Sequence, residues 1–220
     1  MIELYGMRIE ELPTVEESLA LSSWATVWRS RHPRFSQTDA ARAGLGGLLL
    51  LEAAGLRGNL CYTEKGRPYL EGQTVDFNLT HTKTLVLCAI GRPESNVACR
   101  VGLDAEDLCS DRMLDSCAMA KRWLSPAEQE LFIQDPTTER FLKIWTKKEA
   151  YVKWTGEGLG GLRSADTIAP REVTFWEYEV EGAAVALCAH PCHLPPREIT
   201  LLTGQELCCR LREIEGENRC

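Results

Sequence analysis

Hydrophobic and polar residues alternate near the start of the chain, and residues 2–10 read as an opening strand. The period then lengthens. Residues 40–54 predict a helix capped by Thr38 or Asp39 and stopped by Gly55. Gly44, Gly46 and Gly47 weaken that helix, or permit close approach of something to it. Residues 74–79 and 84–90 are short β-rich runs, read as a hairpin or adjacent strands with His81 at the turn. Residues 96–103 predict another strand, ending at Asp104. Residues 114–124 look helical. Ser125-Pro126-Ala127-Glu128 opens a second helix, with an N-cap, a proline at the first helical position and an acid at the third. Thr137 or Thr138 begins a third, reaching about Trp154, with Phe141, Trp145, Lys148 and Val152 on one side. Gly156, Gly158, Gly160 and Gly161 predict a flexible loop. Residues 171–180, 183–190 and 199–203 alternate like a closing antiparallel meander. The order is mixed α+β in two comparable halves, with a boundary near residues 91–97, no clear repeat and no low-complexity segment.

Composition narrows the classes. The 220 residues are 44% hydrophobic, enough for a substantial core and against disorder. A net charge of −7 argues against a general nucleic-acid binder. Within residues 29–67 the sign reverses: Arg29, Arg31, Arg34, Arg42, Arg57, Lys65 and Arg67 face only Asp39, Glu52 and Glu64. Such a patch suits a small anionic ligand, and equally a solvated surface. The N-terminus lacks a basic start and an apolar signal core, and the longest apolar stretch, residues 45–56, is too short and interrupted to span a membrane. A cytoplasmic chain is expected, its ten cysteines mostly small buried hydrophobes. The cluster of Cys188, His190, Cys192 and His193, with Cys208 and Cys209 later, lacks the paired spacing of a zinc site.

Three stretches carry candidate chemistry. Asp104 and Glu106 are two apart, so a strand continuing that far points both the same way. Paired carboxylate oxygens favour Mg²⁺ or Mn²⁺ over zinc, although Asp-x-Glu also describes an acidic strand end in solvent. Asp107 should face away. Glu149 and Lys153 lie one helical turn apart, which also describes a surface ion pair. Trp145, Tyr151 and Trp154 bracket them, so this helix is not plainly solvent-facing. Charges among aromatics imply each other or a ligand. Lys148 is placed to meet a phosphate as a point charge. Thr80 and His81 at a strand turn offer a hydroxyl and a ring N–H to a phosphate oxygen. Lys65-Gly66-Arg67-Pro68 adds two cations in a tight loop, and Arg42 lies on the first long helix.

Taken in order, these segments resemble the Sfp-type 4'-phosphopantetheinyl transferases. Phe77-Asn78-Leu79-Thr80-His81 is similar to the family's Phe-Asn-x-Ser-His segment, and Gly102-Leu103-Asp104-Ala105-Glu106 to its Gly-x-Asp-x-Glu motif. Trp145-Thr146-Lys147-Lys148-Glu149-Ala150-Tyr151-Val152-Lys153 resembles Trp-x-x-Lys-Glu-x-x-x-Lys. Gly66-Arg67-Pro68 resembles a Gly-Lys-Pro loop, and Trp123-Leu124-Ser125-Pro126-Ala127-Glu128 a Phe-Phe-Ser-x-x-Glu segment. Thr80 for serine and Arg67 for lysine are departures that keep a hydroxyl and a charge.

The resemblance implies an α+β pseudo-dimer of two similar halves, with the active site in the cleft between them. Residues 1–95 would hold the coenzyme A nucleotide, and residues 96–220 would be the metal-binding and catalytic side. It implies transfer of the 4'-phosphopantetheine arm of coenzyme A to a serine of an apo acyl or peptidyl carrier protein, releasing adenosine 3',5'-bisphosphate. By the same resemblance Asp104, Glu106 and Glu149 hold Mg²⁺, with Mn²⁺ as a substitute. Glu149 takes the serine proton, directly or through a water, and Lys153 meets the pyrophosphate. Arg42, Arg67, Thr80, His81 and Lys148 contact the nucleotide and its phosphates. A monomer with an internal pseudo-two-fold is expected, with no nucleic-acid or membrane partner. One alternative is a non-catalytic coenzyme A-binding or scaffolding protein of the same fold, whose mark would be a missing acid or lysine. The other is a metal-dependent phosphodiesterase that uses water in place of serine.

Overall fold

The computed structural model describes residues 1–32, 39–94, 97–109, 115–170 and 172–217. The chain opens with β1 (Ile2–Arg8), α1 (Val15–Leu21), α2 (Ser23–Arg31) and α3 (Asp39–Ala53). A small hairpin follows, β2 (Leu60–Tyr62) and β3 (Pro68–Leu70), and then a larger one, β4 (Asp76–His81) and β5 (Leu85–Gly91). The second half runs β6 (Val101–Asp107), α4 (Ser116–Trp123), α5 (Pro126–Ile133), α6 (Thr138–Thr155), β7 (Thr174–Val180) and β8 (Ala183–Ala189). β9 (Thr200–Leu201) and α7 (Gly204–Glu217) close it.

Two sheets organise these elements, in the orders β4-β5-β1-β9 and β6-β8-β7. Apart from β9 they share one connectivity. A leading strand, β1 or β6, is followed by helices and then by a hairpin whose second strand returns antiparallel to the leading one. Alternation along the strands builds the layers. On β5, Val86, Cys88 and Ile90 face α3, while Leu85, Leu87 and Ala89 face the second sheet. On β8, Val185 and Leu187 meet the first sheet, while Ala186 and Cys188 meet Ala150 of α6. The order through the molecule is therefore α3, sheet, sheet, α6.

Local chemistry sets the helix ends. Thr14 and Glu17 form a capping box on α1, as Ser125 and Glu128 do on α5, where Pro126 takes the first position. Thr137 caps α6 through the Arg140 amide, and Gly156, at φ 75°, ends it in the left-handed region.

The structure corrects several expectations. His81 is the last residue of β4, not part of the turn. The strand expected over residues 96–103 starts later and runs on to Asp107, because Asp104, Glu106 and Asp107 are all registered against β8. β9 does not join the closing meander: Thr200 and Leu201 pair in parallel with Tyr5 and Gly6 of β1. α7 likewise returns to the first half, burying Leu207 and Leu211 in the core under α3. The loop expected over residues 156–161 includes a 3-10 turn at Gly158–Gly161. Thr38 as a helix cap, Arg34 in the basic patch, and Leu114 at a helix start lie outside the described residues. Among the described residues no helix is long and apolar enough to cross a membrane.

Candidate active site

The free edges of the two sheets meet along β4 and β6. An unpaired strand edge leaves amide groups that need partners, and β4 supplies them from alternate positions. Asp76 Oδ2 accepts the Val101 amide at 2.8 Å, and Asn78 Oδ1 accepts the Leu103 amide at 3.0 Å. Thr80 Oγ1 continues the series and donates to Asp104 Oδ1 at 3.2 Å. Side chains thus stitch the halves together, and the last stitch falls on the candidate acid. Sequence reasoning missed Asp76 and Asn78. The available signal was their period-two spacing with Thr80.

β6 presents its acids to α6. Val101, Leu103 and Ala105 are buried between the sheets, which turns Gly102, Asp104 and Glu106 the other way. Gly102 lets the helix approach closely: a Cβ there would collide with the Ala150 carbonyl oxygen and the Trp154 amide. Glu149 and Lys153 on α6 are thereby held over the strand. Asp107 faces away as expected, accepting the Lys83 amide at 2.9 Å and the Thr84 hydroxyl at 3.3 Å.

The charges form one group. Asp104 is only 4% exposed. Its Oδ1 accepts from Lys153 Nζ at 2.7 Å, and the same ammonium donates to the Leu103 carbonyl at 3.0 Å. Asp104 Oδ2 is buried without a hydrogen-bond partner. Burial, followed by the charges of Asp104 and Glu149, pushes the Glu106 carboxyl up to about 7, against the pull of Lys153. Burial and the Asp104 charge raise Glu149 to about 7 as well, opposed by Lys153 and by a hydrogen bond from Trp145. The sequence placed Trp145 beside these charges but not its hydrogen bond to Glu149, one turn further along the helix.

Cavities open on both sides of the acids. One, of about 310 Å³, is lined by Lys65, Arg67, Asn78, Glu149, Lys153 and the glycines after α6. The other, of about 360 Å³, is lined by His81, Lys83, Glu106, Asp107, Met119 and Trp145.

Other expected ligand contacts lie elsewhere. Lys148 is fully buried, with Nζ donating to Glu128 Oε2 at 2.7 Å and to the Ala165 carbonyl. The expectation that it meets a phosphate is corrected: helical periodicity turns it into the protein, toward the acid of the α5 capping box. Glu128 completes the network by accepting the Thr167 amide and hydroxyl at 3.1 and 2.8 Å. Arg67 borders the first cavity, but its guanidinium is held by Asp76 at 2.7 Å, the Val101 carbonyl at 3.0 Å and the Lys153 carbonyl. It spans the seam between the halves. Arg42 donates to the carbonyls of Ile9 and Leu12 at 3.1 and 2.8 Å, and borders a third hollow with Arg8, Lys83 and Glu181. Thr80 is buried against Asp104, whereas His81, one residue on, is exposed in the second cavity.

The three carboxylates do not form a closed cage. Among the described residues no group of three or more His, Cys, Asp or Glu side chains is arranged to hold a metal ion as it stands. The donor set still fits a hard cation. Mg²⁺ takes one or two carboxylates and completes its shell with water and phosphate oxygens, and the unpartnered Asp104 Oδ2 is such a donor. A cleft of mutually repelling carboxylates flanked by lysine is the kind of site that handles phosphate groups through a cation.

Comparison with known proteins identifies the family. A family model describing the 4'-phosphopantetheinyl transferase superfamily matches residues 100–195, the stretch from β6 through β8. The chain is 30% identical over 159 residues to the 4'-phosphopantetheinyl transferase AcpT of Salmonella typhimurium, covering 70% of this chain and 80% of that protein. It is 34% identical over 139 residues to the 4'-phosphopantetheinyl transferase HetI of Nostoc sp., spanning 60% of this chain and 55% of HetI's length. It is 24% identical over 238 residues to the 4'-phosphopantetheinyl transferase Sfp of Bacillus subtilis, covering 94% of this chain and all of that protein. The chain belongs to the 4'-phosphopantetheinyl transferase superfamily.

Proposed function

We propose that this protein transfers the 4'-phosphopantetheine arm of coenzyme A to a serine of an apo acyl or peptidyl carrier protein. The serine oxygen bonds to the phosphorus that carries the pantetheine arm. The pyrophosphate bridge to the nucleotide breaks, and adenosine 3',5'-bisphosphate leaves. The observation that carries this reading is the convergence of Asp104, Glu106, Glu149 and Lys153 between two cavities at the seam of the halves.

Each residue has work that its placement suits. Glu149 opens on the first cavity, where it takes the serine proton directly or through a water. Lys153 offers an ammonium to the departing phosphate. Asp104 and Glu106, with Glu149, would hold Mg²⁺, or Mn²⁺ in its place. When bound, the ion neutralises pyrophosphate oxygens and polarises the phosphorus. Lys65 and His81 extend positive charge and donors along the cleft for the nucleotide's phosphates. Thr80 and Asn78 hold β6 in register, so the acids keep their aim.

The reading extends to the whole molecule. Residues 1–95, joined by β9 and α7, form the nucleotide side and the rest of residues 96–220 the catalytic side, within a monomer whose repeated strand–helix–hairpin connectivity provides the internal pairing. A cytoplasmic setting accords with nine described cysteines that are all free thiols. The test is incubation with coenzyme A, MgCl₂ and a panel of apo carrier proteins, read by intact mass. Gain of one phosphopantetheine arm on a carrier is expected. No gain on any carrier, with coenzyme A hydrolysed instead, would establish a phosphodiesterase.

A further inference from the structure

The ammonium of Lys153 is committed inside the protein. It reaches Asp104 Oδ1 at 2.7 Å and the Leu103 carbonyl at 3.0 Å. The Asp104 side chain is 5% exposed and that of Lys153 is 30% exposed, so the acid is fixed and the lysine can leave. A buried carboxylate without a counter-charge is strongly destabilising. Apart from the Thr80 hydroxyl, Lys153 is the side-chain donor recorded on Asp104.

Two facts make this arrangement more than a stabilising ion pair. The first is the buried Asp104 Oδ2, which has no hydrogen-bond partner, so half of the carboxylate's charge is uncompensated. The second is that Lys153 also lines the 310 Å³ cavity beside Glu149. Its side chain therefore has a second place to go without any movement of α6, which the Gly102 contact holds in place. An ammonium and a divalent cation on one buried carboxylate repel each other strongly where the dielectric is low.

We propose that Lys153 is the resting counter-ion of Asp104, and that a divalent cation taking Asp104 displaces its ammonium into the cleft. Freed there, the ammonium meets the anionic substrate, so arrival of the cation primes phosphate binding. This rests on the transferase reading of the site and adds a competition to it. Lys153 holds down the affinity of the free protein for the cation.

The test uses the full chain without coenzyme A. MgCl₂ is titrated calorimetrically into wild type and Lys153→Met. The variant should bind at least about tenfold more tightly, because the competing charge is gone. Equal or weaker binding overturns the proposal. Removing the ammonium leaves Asp104 bare and can harm folding, so a second arm needs no variant. Labelling of Lys153 by an amine-acylating reagent, read by peptide mass, should rise several-fold in wild type when MgCl₂ is present. Unchanged or slower labelling overturns the proposal too. Failure of the transferase reading shows separately, as no mass gain on any apo carrier. Intact transfer with unaltered affinity and unaltered labelling sinks the competition alone.

Discussion

The two halves share a connectivity and divide the labour. In the first, α3 lies on its sheet with Leu45 and Leu48 to Leu51 all buried, so that helix is given over to packing. In the second, α6 occupies the corresponding place, but presents Glu149 and Lys153 to the acids of β6 and buries Lys148 in an ion pair. The strands differ likewise. β4 spends alternate side chains on capping the β6 edge, whereas β6 turns Asp104 and Glu106 toward its helix. One scaffold therefore serves as support in one half and carries the candidate site in the other, and the difference lies in a few polar positions.

The largest effects should separate these roles. Asp104→Ala and Glu149→Ala are each expected to reduce carrier labelling by about 10²–10³-fold or more while the fold persists by circular dichroism. The first-half counterpart, Leu49→Ala, should cost about 2–5 kcal/mol of stability, yet leave the activity of the folded fraction unchanged. Near-normal labelling by either acid variant would remove the basis of the proposed site.

The Lys148 pair comes next. Lys148→Met leaves Glu128 buried without its counter-charge, and should destabilise by about 3–5 kcal/mol in denaturant titrations. Adding Glu128→Gln should recover much of that loss, since the orphan charge goes with it. If Lys148→Met instead weakened coenzyme A binding with unchanged stability, Lys148 would be a ligand after all.

The helix seats differ more modestly. Gly102→Ala drives a methyl group into the α6 backbone and should cost about 1–3 kcal/mol together with transfer activity. Gly47→Ala in α3 first meets the flexible Leu79 side chain, at 3.2 Å, and should cost less. Equal losses at the two positions would mean that α6 is no more tightly seated than α3.

The smallest expected effect is electrostatic and belongs to the helix caps. Hydrogen bonds from the Thr14 amide and then its hydroxyl hold Glu17 below the usual carboxylate value, and Thr203 does the same for Glu206. With the folded pKa depressed, the stability they add is present above the unfolded value and is lost as pH falls through the folded one. The melting-point gap between wild type and Glu206→Gln should therefore close on acidification.

Much of the site was legible in the sequence because it depends on short-range periodicity. Spacing by two placed Asp104 and Glu106 on one side of a strand, and spacing by four placed Glu149 and Lys153 together on a helix. The capping box at Ser125 was also local, since it is closed by atoms within a few residues. Lys148 shows the limit. Its helical position was right, but its partner Glu128 is 20 residues away, and nothing nearby in the sequence says that one lysine turns inward while another faces the cleft.

The amino-acid order by itself determined α3, α5, α6, the main strands, the Ser125 cap and the residue types able to grip a cation and a phosphate, because hydrogen bonds and side-chain alternation within a segment need only near neighbours; α1, α2, the β2–β3 hairpin and α7 were not read from it. Only the tertiary structure decided that β9 crosses to the first sheet, that Asp76, Asn78 and Thr80 stitch the two edges together, that Gly102 seats α6, and that Lys153 rests on Asp104. Those are contacts between segments far apart in the chain. They form only when two sheets bury their apolar faces against each other and bring the polar edges into reach.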